Sequence, residues 1–327
     1  MEVRSVGYDE VHARQACGVH PASYGEVGID VGGTHTRIRV AQDSPDGAEP
    51  AEVTVRTTKW LHGTLFGDFA NAGRLLELVP GDFVGRVDVP IALGVNGCDN
   101  RAQCALLTQW LRVSHPGPVL VVNDSELFAP AAGFDNAITV VCGTGSIVVG
   151  RDGAGELVKV GGHGWLLGDP GAAPSLVRES VVAILAAHDA GAEPGHLACA
   201  LMKHYGSPDP VQLGYDFTAD AGATNWGALA PLVFEAADAG DALAIGIVEA
   251  DGRQLAADVV ALLAKGVDAS DVVAAGGVIT AQPRLEHAFI DALRAVAPNL
   301  RVHLLREPPV MGAIALARTL ASNSQET

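Results

Sequence analysis

Aromatic side chains and positive charge are both scarce in this sequence. Phe, Trp and Tyr make up 5% of 327 residues, and 21 Lys and Arg stand against 38 Asp and Glu, a formal net charge of −17. A chain this acidic repels a phosphate backbone, so nucleic acid is not an expected partner. The same argument does not exclude ATP, because Mg²⁺ neutralises a nucleoside triphosphate and backbone dipoles can hold it. The five cysteines, Cys17, Cys98, Cys104, Cys142 and Cys199, show no CxxC spacing and no Cys/His cluster. Zinc and iron–sulfur patterns are therefore absent, and free thiols in a reducing, cytoplasmic setting are expected. No apolar run exceeds strand length, so no membrane span is expected. Residues 1–24 lack the apolar centre of a signal peptide and read as a loose extension. No GxxxxGK[ST] occurs, which excludes a P-loop enzyme.

Small apolar residues are abundant. Hydrophobic residues make up 48% of the chain, much of it Ala and Val, with 39 Gly. The length suits two lobes better than one core. Strand and helix signals alternate, which argues an α/β architecture. Residues 27–31 read as a strand, followed by a glycine turn and a hairpin partner at 36–41. A strand near 52–56, a helix over 66–79, a buried strand at 89–95, a helix over 103–113 and a buried strand at 118–122 follow. The strand, Gly/Thr turn, strand pattern then recurs at 137–151. This weak internal repeat predicts two lobes of similar topology. Beyond residue 172 the chain reads as helical at 175–190, 226–239 and 242–263. A strand at 272–275, a helix over 285–295, a strand at 301–305 and a last helix over 310–321 complete it.

Five segments carry chemistry. In the first, Asp30 ends a buried strand and Gly32, Gly33, Thr34, His35 and Thr36 follow. The glycines let backbone N–H groups approach a polyphosphate, the Thr34 and Thr36 hydroxyls can add donors, and Asp30 can hold Mg²⁺ directly or through water. Gly143, Thr144, Gly145 and Ser146 repeat the device, so two hairpins can grip a polyphosphate from both sides. Asn123 and Asp124 end another buried strand. Asp124 is placed to accept a proton from an acceptor hydroxyl, or equally it caps the helix that follows. The glycine-rich stretch 161–171 contains Gly162, His163 and Asp169; it reads as a substrate loop, although Asp169 before Pro170 also fits a helix cap. Gly276 and Gly277 end a strand where a flat ring could lie against bare backbone, or where a helix starts in close packing.

These segments, in this order, resemble the N-acetylglucosamine kinase and BadF-type ATPase family of the actin-like superfamily, over about residues 27–317. Residues 30–36 resemble its first phosphate motif and 143–146 its second. Residues 94–97 resemble its connecting segment, 123–124 the strand end with the catalytic Asp, 161–171 the sugar loop and 275–278 the adenosine motif. The resemblance implies a two-lobed actin-like ATPase (ribonuclease H-like) fold with a cleft between lobes. The N-terminal lobe would cover 25–123, with the helix 309–322 packed back on it, and the C-terminal lobe 124–308. It further implies ATP and Mg²⁺ in the cleft, Asp124 as base for a sugar 6-hydroxyl, and Asn96, Asn123, Thr144, Gly162, His163 and Asp169 among the sugar contacts. Trp60 falls near another stretch that reaches the sugar in such kinases, and a homodimer is an expected state.

Three positions depart from the family pattern beside the expected sugar pocket. His163 stands where Trp is usual, Pro170-Gly171-Ala172 replaces Glu-Gly-Ser, and Ile147 follows the second phosphate motif. The expected substrate is therefore an amino sugar, N-acetylglucosamine or a glucosamine-like one. A non-catalytic sugar or ATP sensor and an activator ATPase of the same fold are the alternatives. The missing cysteine pair argues against the activator, and the missing basic arm argues against a sugar-responsive repressor.

Overall fold

The structure, a computed structural model, describes residues 25–41, 51–81 and 83–325. The extension expected over 1–24, and Cys17 within it, lie outside the described residues.

Two five-stranded sheets organise the molecule. The first contains β1 (Glu26–Val31), β2 (His35–Ala41), β3 (Ala51–Arg56), β4 (Ile91–Val95) and β5 (Val119–Val122), in the order β3-β2-β1-β4-β5. The second contains β6 (Ile138–Cys142), β7 (Ser146–Arg151), β8 (Leu157–Gly161), β9 (Asp271–Ala275) and β10 (Arg301–Leu304), in the order β10-β9-β6-β7-β8. The two are one design used twice. In each, the first strand pairs antiparallel with the second and parallel with the fourth, the third extends the hairpin, and the fifth runs parallel to the fourth. The fourth strand of each sheet is buried at every residue: Ile91–Val95 is apolar throughout, and Asp271–Ala275 is apolar after Asp271, whose carboxylate pairs with Arg301 and His303.

The helices are α1 (Ala70–Leu76), α2 (Arg101–Leu111), α3 (Phe128–Ala131), α4 (Ala173–Asp189), α5 (His196–Tyr205), α6 (Pro210–Ala219), α7 (Ala223–Gly227), α8 (Ala230–Asp238), α9 (Ala242–Ala264), α10 (Pro283–Val296) and α11 (Val310–Gln325). Several start at side-chain caps. Asn100 Oδ1 accepts from the Gln103 amide at 3.0 Å, and Asp209 Oδ1 from the Gln212 amide at 2.8 Å. Two expected helices differ. The helix expected over 66–79 begins only at Ala70, because the Asp68 carboxylate takes the Ala70 amide at 3.0 Å. The one expected over 226–239 is divided into α7 and α8, and Pro231 occupies the first turn of α8, where its missing N–H costs nothing.

The larger core lies under the second sheet, where α4, α8, α9 and α10 bury Leu176, Val233, Leu255 and Phe289 completely. Each such side chain contributes ~1.5–3 kcal/mol by leaving water. The smaller core lies under the first sheet around Ile29, Leu75, Leu93 and Leu107. Helix α11 packs on β1 and α3. Its close approach needs Gly312, where a Cβ would stand 1.9 Å from the Leu127 carbonyl oxygen.

Candidate active site

The expected site residues gather at the carboxyl ends of the central strands of both sheets, where open α/β sheets place ligands. On the first sheet Asp30, Asn96 and Asp124 lie at the ends of the neighbouring strands β1, β4 and β5. The Asn96 amide donates to Asp124 Oδ2 at 3.3 Å, and the Asn96 backbone N–H holds the Val31 carbonyl at 2.8 Å.

The capping question at Asn123-Asp124 has a clear answer. Asn123 is the cap of the short 3-10 helix Asp124–Leu127: its Oδ1 accepts from the Ser125 amide, and its own backbone N–H donates to Glu126 Oε1 at 2.9 Å. That reciprocal box leaves Asp124 Oδ2 to Asn96 and the cleft. Asp124 is held above the usual carboxylate range. Burial is the main cause, opposed by the Asn96 and Ser125 hydrogen bonds and by the Lys159 charge. Burial pushes Asp30 up to about 6, helped by the Asp124 charge and opposed by Arg37.

In the first glycine hairpin Gly32 N–H closes on the His35 carbonyl at 3.0 Å, leaving Gly33, Thr34 and His35 exposed. Thr36 and Trp60 are not where the sequence reading put them. The Trp60 indole is buried and donates to Thr36 Oγ1 at 2.8 Å. Thr57 Oγ1 donates to the Gly32 carbonyl at 2.8 Å, so its 3.1 Å bond with Thr36 must run from the Thr36 hydroxyl. The chain Trp60, Thr36, Thr57, Gly32 uses every hydroxyl hydrogen internally. Thr36 and Trp60, both buried, therefore brace the hairpin from beneath.

The second hairpin is built alike. Gly143 N–H donates to the Gly145 carbonyl at 2.9 Å, and Thr144 and Gly145 are exposed. The Ser146 side chain is buried, and its backbone carbonyl accepts the Gly162 amide at 3.0 Å, which ties the glycine loop to the hairpin. Asp169 does not cap a helix; Ala172 holds that position. Asp169 is buried, has φ of 60°, and accepts the Gly164 amide at 3.1 Å. Among the described residues it is the one non-glycine in that strained region, which costs ~1–3 kcal/mol. Its other oxygen lies against Gly145, where a Cβ would come within 3.0 Å. His163 and Gly162 are exposed on the same loop, and the imidazole faces Asp258 of α9. Gly276 and Gly277 close the group. Gly143 lies against the Gly277 amide, and the amides of Val278 and Ile279 reach the Cys142 carbonyl.

Sequence reasoning missed two sets of residues here. Asp251 of α9 is buried under the exit of the glycine loop and accepts the Gly171 N–H; burial, then Glu179, holds its carboxyl well above the usual range. Asp99 and Glu126 form charged pairs with Lys159 and Arg151 of the second sheet. Neither set has a local signature, since each partner lies far away in the chain.

Two cavities of about 400 and 390 Å³ open between the two sheets. Neither is lined by the glycine turns 32–35 or 143–145; both are lined by Leu120, Val122, Glu126, Arg151 and Leu157. No helix among the described residues is long and apolar enough to cross a membrane.

Comparison with known proteins gives a family and a fold. The sequence profile of the BadF/BadG/BcrA/BcrD ATPase family matches residues 84–316. The N-acetyl-D-glucosamine kinase of Dictyostelium discoideum is 26% identical over 314 residues, covering 89% of this chain and 97% of that protein. The N-acetylmuramic acid/N-acetylglucosamine kinase of Clostridium acetobutylicum is 26% identical over 236 residues, 70% of this chain and 77% of that one. Among solved structures, a candidate N-acetylglucosamine kinase from Chromobacterium violaceum superposes with a TM-score of 0.63 at 22% identity, covering 91% of this chain and all of that one. A ROK family glucokinase from Streptomyces griseus, bound to glucose and AMPPNP, gives 0.53 at 18% identity over 90% and 98% of the two chains. These superpositions describe an actin-like sugar-kinase fold.

Proposed function

Because the chain belongs to the BadF/BadG/BcrA/BcrD ATPase family, we propose that it is an ATP-dependent kinase that phosphorylates the 6-hydroxyl of an amino sugar, N-acetylglucosamine or a glucosamine-like one. The observation that carries this reading is Asp124: a largely buried carboxylate at a strand end, freed from capping by Asn123 and oriented by Asn96. The names of the two kinase relatives support the substrate class.

The two exposed glycine hairpins supply backbone N–H groups for the phosphates of ATP, through Gly32, Gly33 and Thr34 on one side and Gly143, Thr144 and Gly145 on the other. Gly276 and Gly277 offer bare backbone to the adenosine end. Asn96, Gly162, His163 and Asp169 surround the sugar, with Asp124 at its reacting hydroxyl; Asn123, expected among them, is buried with its amide hydrogens taken by Cys98 and Asp99 and its oxygen by Ser125. Asp124 takes that proton as the hydroxyl oxygen bonds to the γ-phosphorus and the bond to the β,γ-bridging oxygen breaks, releasing ADP. Burial strengthens Asp124 as a base and also lowers the competition from water.

A divalent cation fits the carboxylates present. Asp30 and Asp124 face each other closely enough to raise the proton affinity of Asp30, and no cluster of three metal-binding side chains occurs among the described residues. That favours Mg²⁺, which keeps most of its waters and uses one or two carboxylates together with phosphate oxygens. Asp30 would hold it, directly or through water, and the ion would neutralise charge on the phosphates. We place the reaction in the cytoplasm, where ATP is available and the free thiols Cys98, Cys104, Cys142 and Cys199 persist.

The test is product analysis by ³¹P NMR after incubation with Mg²⁺, ATP and N-acetylglucosamine or glucosamine. A phosphate coupled to the C6 protons is expected, and Asp124→Asn should abolish it while ATP still binds. Phosphate on another hydroxyl, or undiminished product from Asp124→Asn, would overturn the assignment.

A further inference from the structure

The turn that carries Asp124 is held from the second sheet. Asn123, the residue before it, is gripped by two carboxylates. Its backbone N–H donates to Glu126 Oε1 at 2.9 Å, and its side-chain amide donates to Asp99 Oδ1 at 3.3 Å and to the Cys98 carbonyl at 3.2 Å. Each of those carboxylates is ion-paired to a cation of the β7-β8 hairpin in the second sheet. Arg151, at the end of β7, pairs with Glu126 Oε2, and Lys159, in β8, pairs with Asp99 Oδ1 at 2.5 Å. A third bond lies beside them: Arg101, at the start of α2, pairs with Glu156 at 2.8 Å and donates to the Ala154 carbonyl at 2.8 Å.

Apolar packing holds the same segment a turn further on, where Phe128, Ala129 and Ala131 meet Ala137 and, in the second sheet, Val273 and Ala275. Two cavities flank the ion pairs, and both are lined by Glu126 and Arg151. At the turn itself the contact is made by charged side chains, so the β7-β8 hairpin adds a few directed bonds to its position. Side-chain exposures of 45% for Arg151 and 57% for Asp99 mean that such pairs contribute little to stability. Their placement gives them another use. A rigid-body movement of the hairpin pulls on Glu126 and Asp99 together, and through them on Asn123, the residue before Asp124.

From this geometry we infer that Arg151 and Lys159 are positioning residues for the catalytic base: a two-point clamp from the second sheet that fixes the Asn123-Asp124 turn and couples the position of the β7-β8 hairpin to the orientation of Asp124. The inference rests on the reading of Asp124 as base. Misplacing a reacting group by about 1 Å can cost ~100-fold in rate, whereas ground-state contacts to sugar and ATP are left intact. The clamp therefore acts on kcat and not on KM.

Two measurements on the full chain test it. Hydrogen exchange reports the turn without requiring turnover. Arg151→Met and Lys159→Met should each speed exchange of the amides of residues 123–127 while the rest of the second sheet keeps its protection. Steady-state kinetics should show kcat falling ~10-fold in each, with both KM values within ~2-fold. Arg151→Lys should recover most of the first loss, and Lys159→Arg most of the second, because both keep Glu126 and Asp99 as acceptors for Asn123. In an Asp124→Asn background neither substitution should lower the residual rate further. Unchanged exchange at 123–127 overturns the clamp. Faster exchange with wild-type kcat overturns its role in positioning, as does a loss confined to KM. Wild-type turnover in Asp124→Asn alone would instead overturn the base assignment, and the exchange result would still judge the clamp.

Discussion

Asp30 and Asp124 end strands β1 and β5 on either side of β4, and the charge on Asp124 adds to burial in holding the Asp30 proton up to about pH 6. The folded state thus binds this proton more tightly than the unfolded chain does. Its contribution to stability falls as pH rises from the usual carboxylate range to about 6, and is flat above that.

The same proton competes with Mg²⁺. Below pH 6 the Mg²⁺ half-saturation constant for ATP use should rise by up to ~10-fold per pH unit, and Asp30→Asn should weaken Mg²⁺ use at neutral pH while flattening this dependence. Metal titrations at pH 5.5 and 7.5 check it. An unchanged constant in wild type would remove Asp30 from the metal.

Trp60 was expected at the sugar and lies beneath the first hairpin. Trp60→Phe keeps a ring but removes the indole donor from the buried Thr36 oxygen, which keeps only its bond to Thr57, so it should cost ~1–3 kcal/mol of stability. The KM for sugar should stay within ~2-fold. Denaturant unfolding and saturation kinetics separate the two roles; a raised KM with wild-type stability would restore Trp60 to the pocket.

What the sequence disclosed follows from which features are local. The two glycine hairpins were readable because their turns need glycine, and the repeat of strand, turn and strand announced the matching sheets. Asp124 was readable as a carboxylate at the end of an apolar run. The helix break at Pro231 was also available, but the surrounding Ala-rich stretch concealed it. What stayed hidden depends on distant partners. Trp60 meets Thr36 across 24 positions, and Lys159 meets Asp99 across 60. Helix α6 was readable from Asp209 before Pro210 and was missed; strand β8, helix α5 and the buried Asp251 depend more on packing under the second sheet.

Gly276 joins β9 to the proposed adenosine turn with φ of 106°, and a Cβ there would stand 2.3 Å from the Cys142 carbonyl oxygen. Gly276→Ala should destabilise the chain by ~1–3 kcal/mol or more and weaken ATP binding. Thermal unfolding and nucleotide titration check this; a neutral substitution would mean that the turn can move away from Cys142.

His163 is exposed on the glycine loop beside Asp258, at a position where the resembled family carries Trp. If it lines the sugar pocket, His163→Trp should shift relative kcat/KM toward N-acetylglucosamine by ~10-fold, about what one reshaped apolar contact provides. No change in the ranking of sugars would take His163 out of the pocket.

The most direct test of the account is a coupled ADP-release assay with Mg²⁺ and ATP against N-acetylglucosamine, glucosamine, N-acetylmannosamine, N-acetylmuramic acid and glucose, run on wild type and on Asp124→Asn. The account predicts that an amino sugar drives ADP release well above the sugar-free rate, and that Asp124→Asn lowers this by ~10²–10⁴-fold. ADP release that no sugar accelerates, from a protein that still binds ATP, would contradict it.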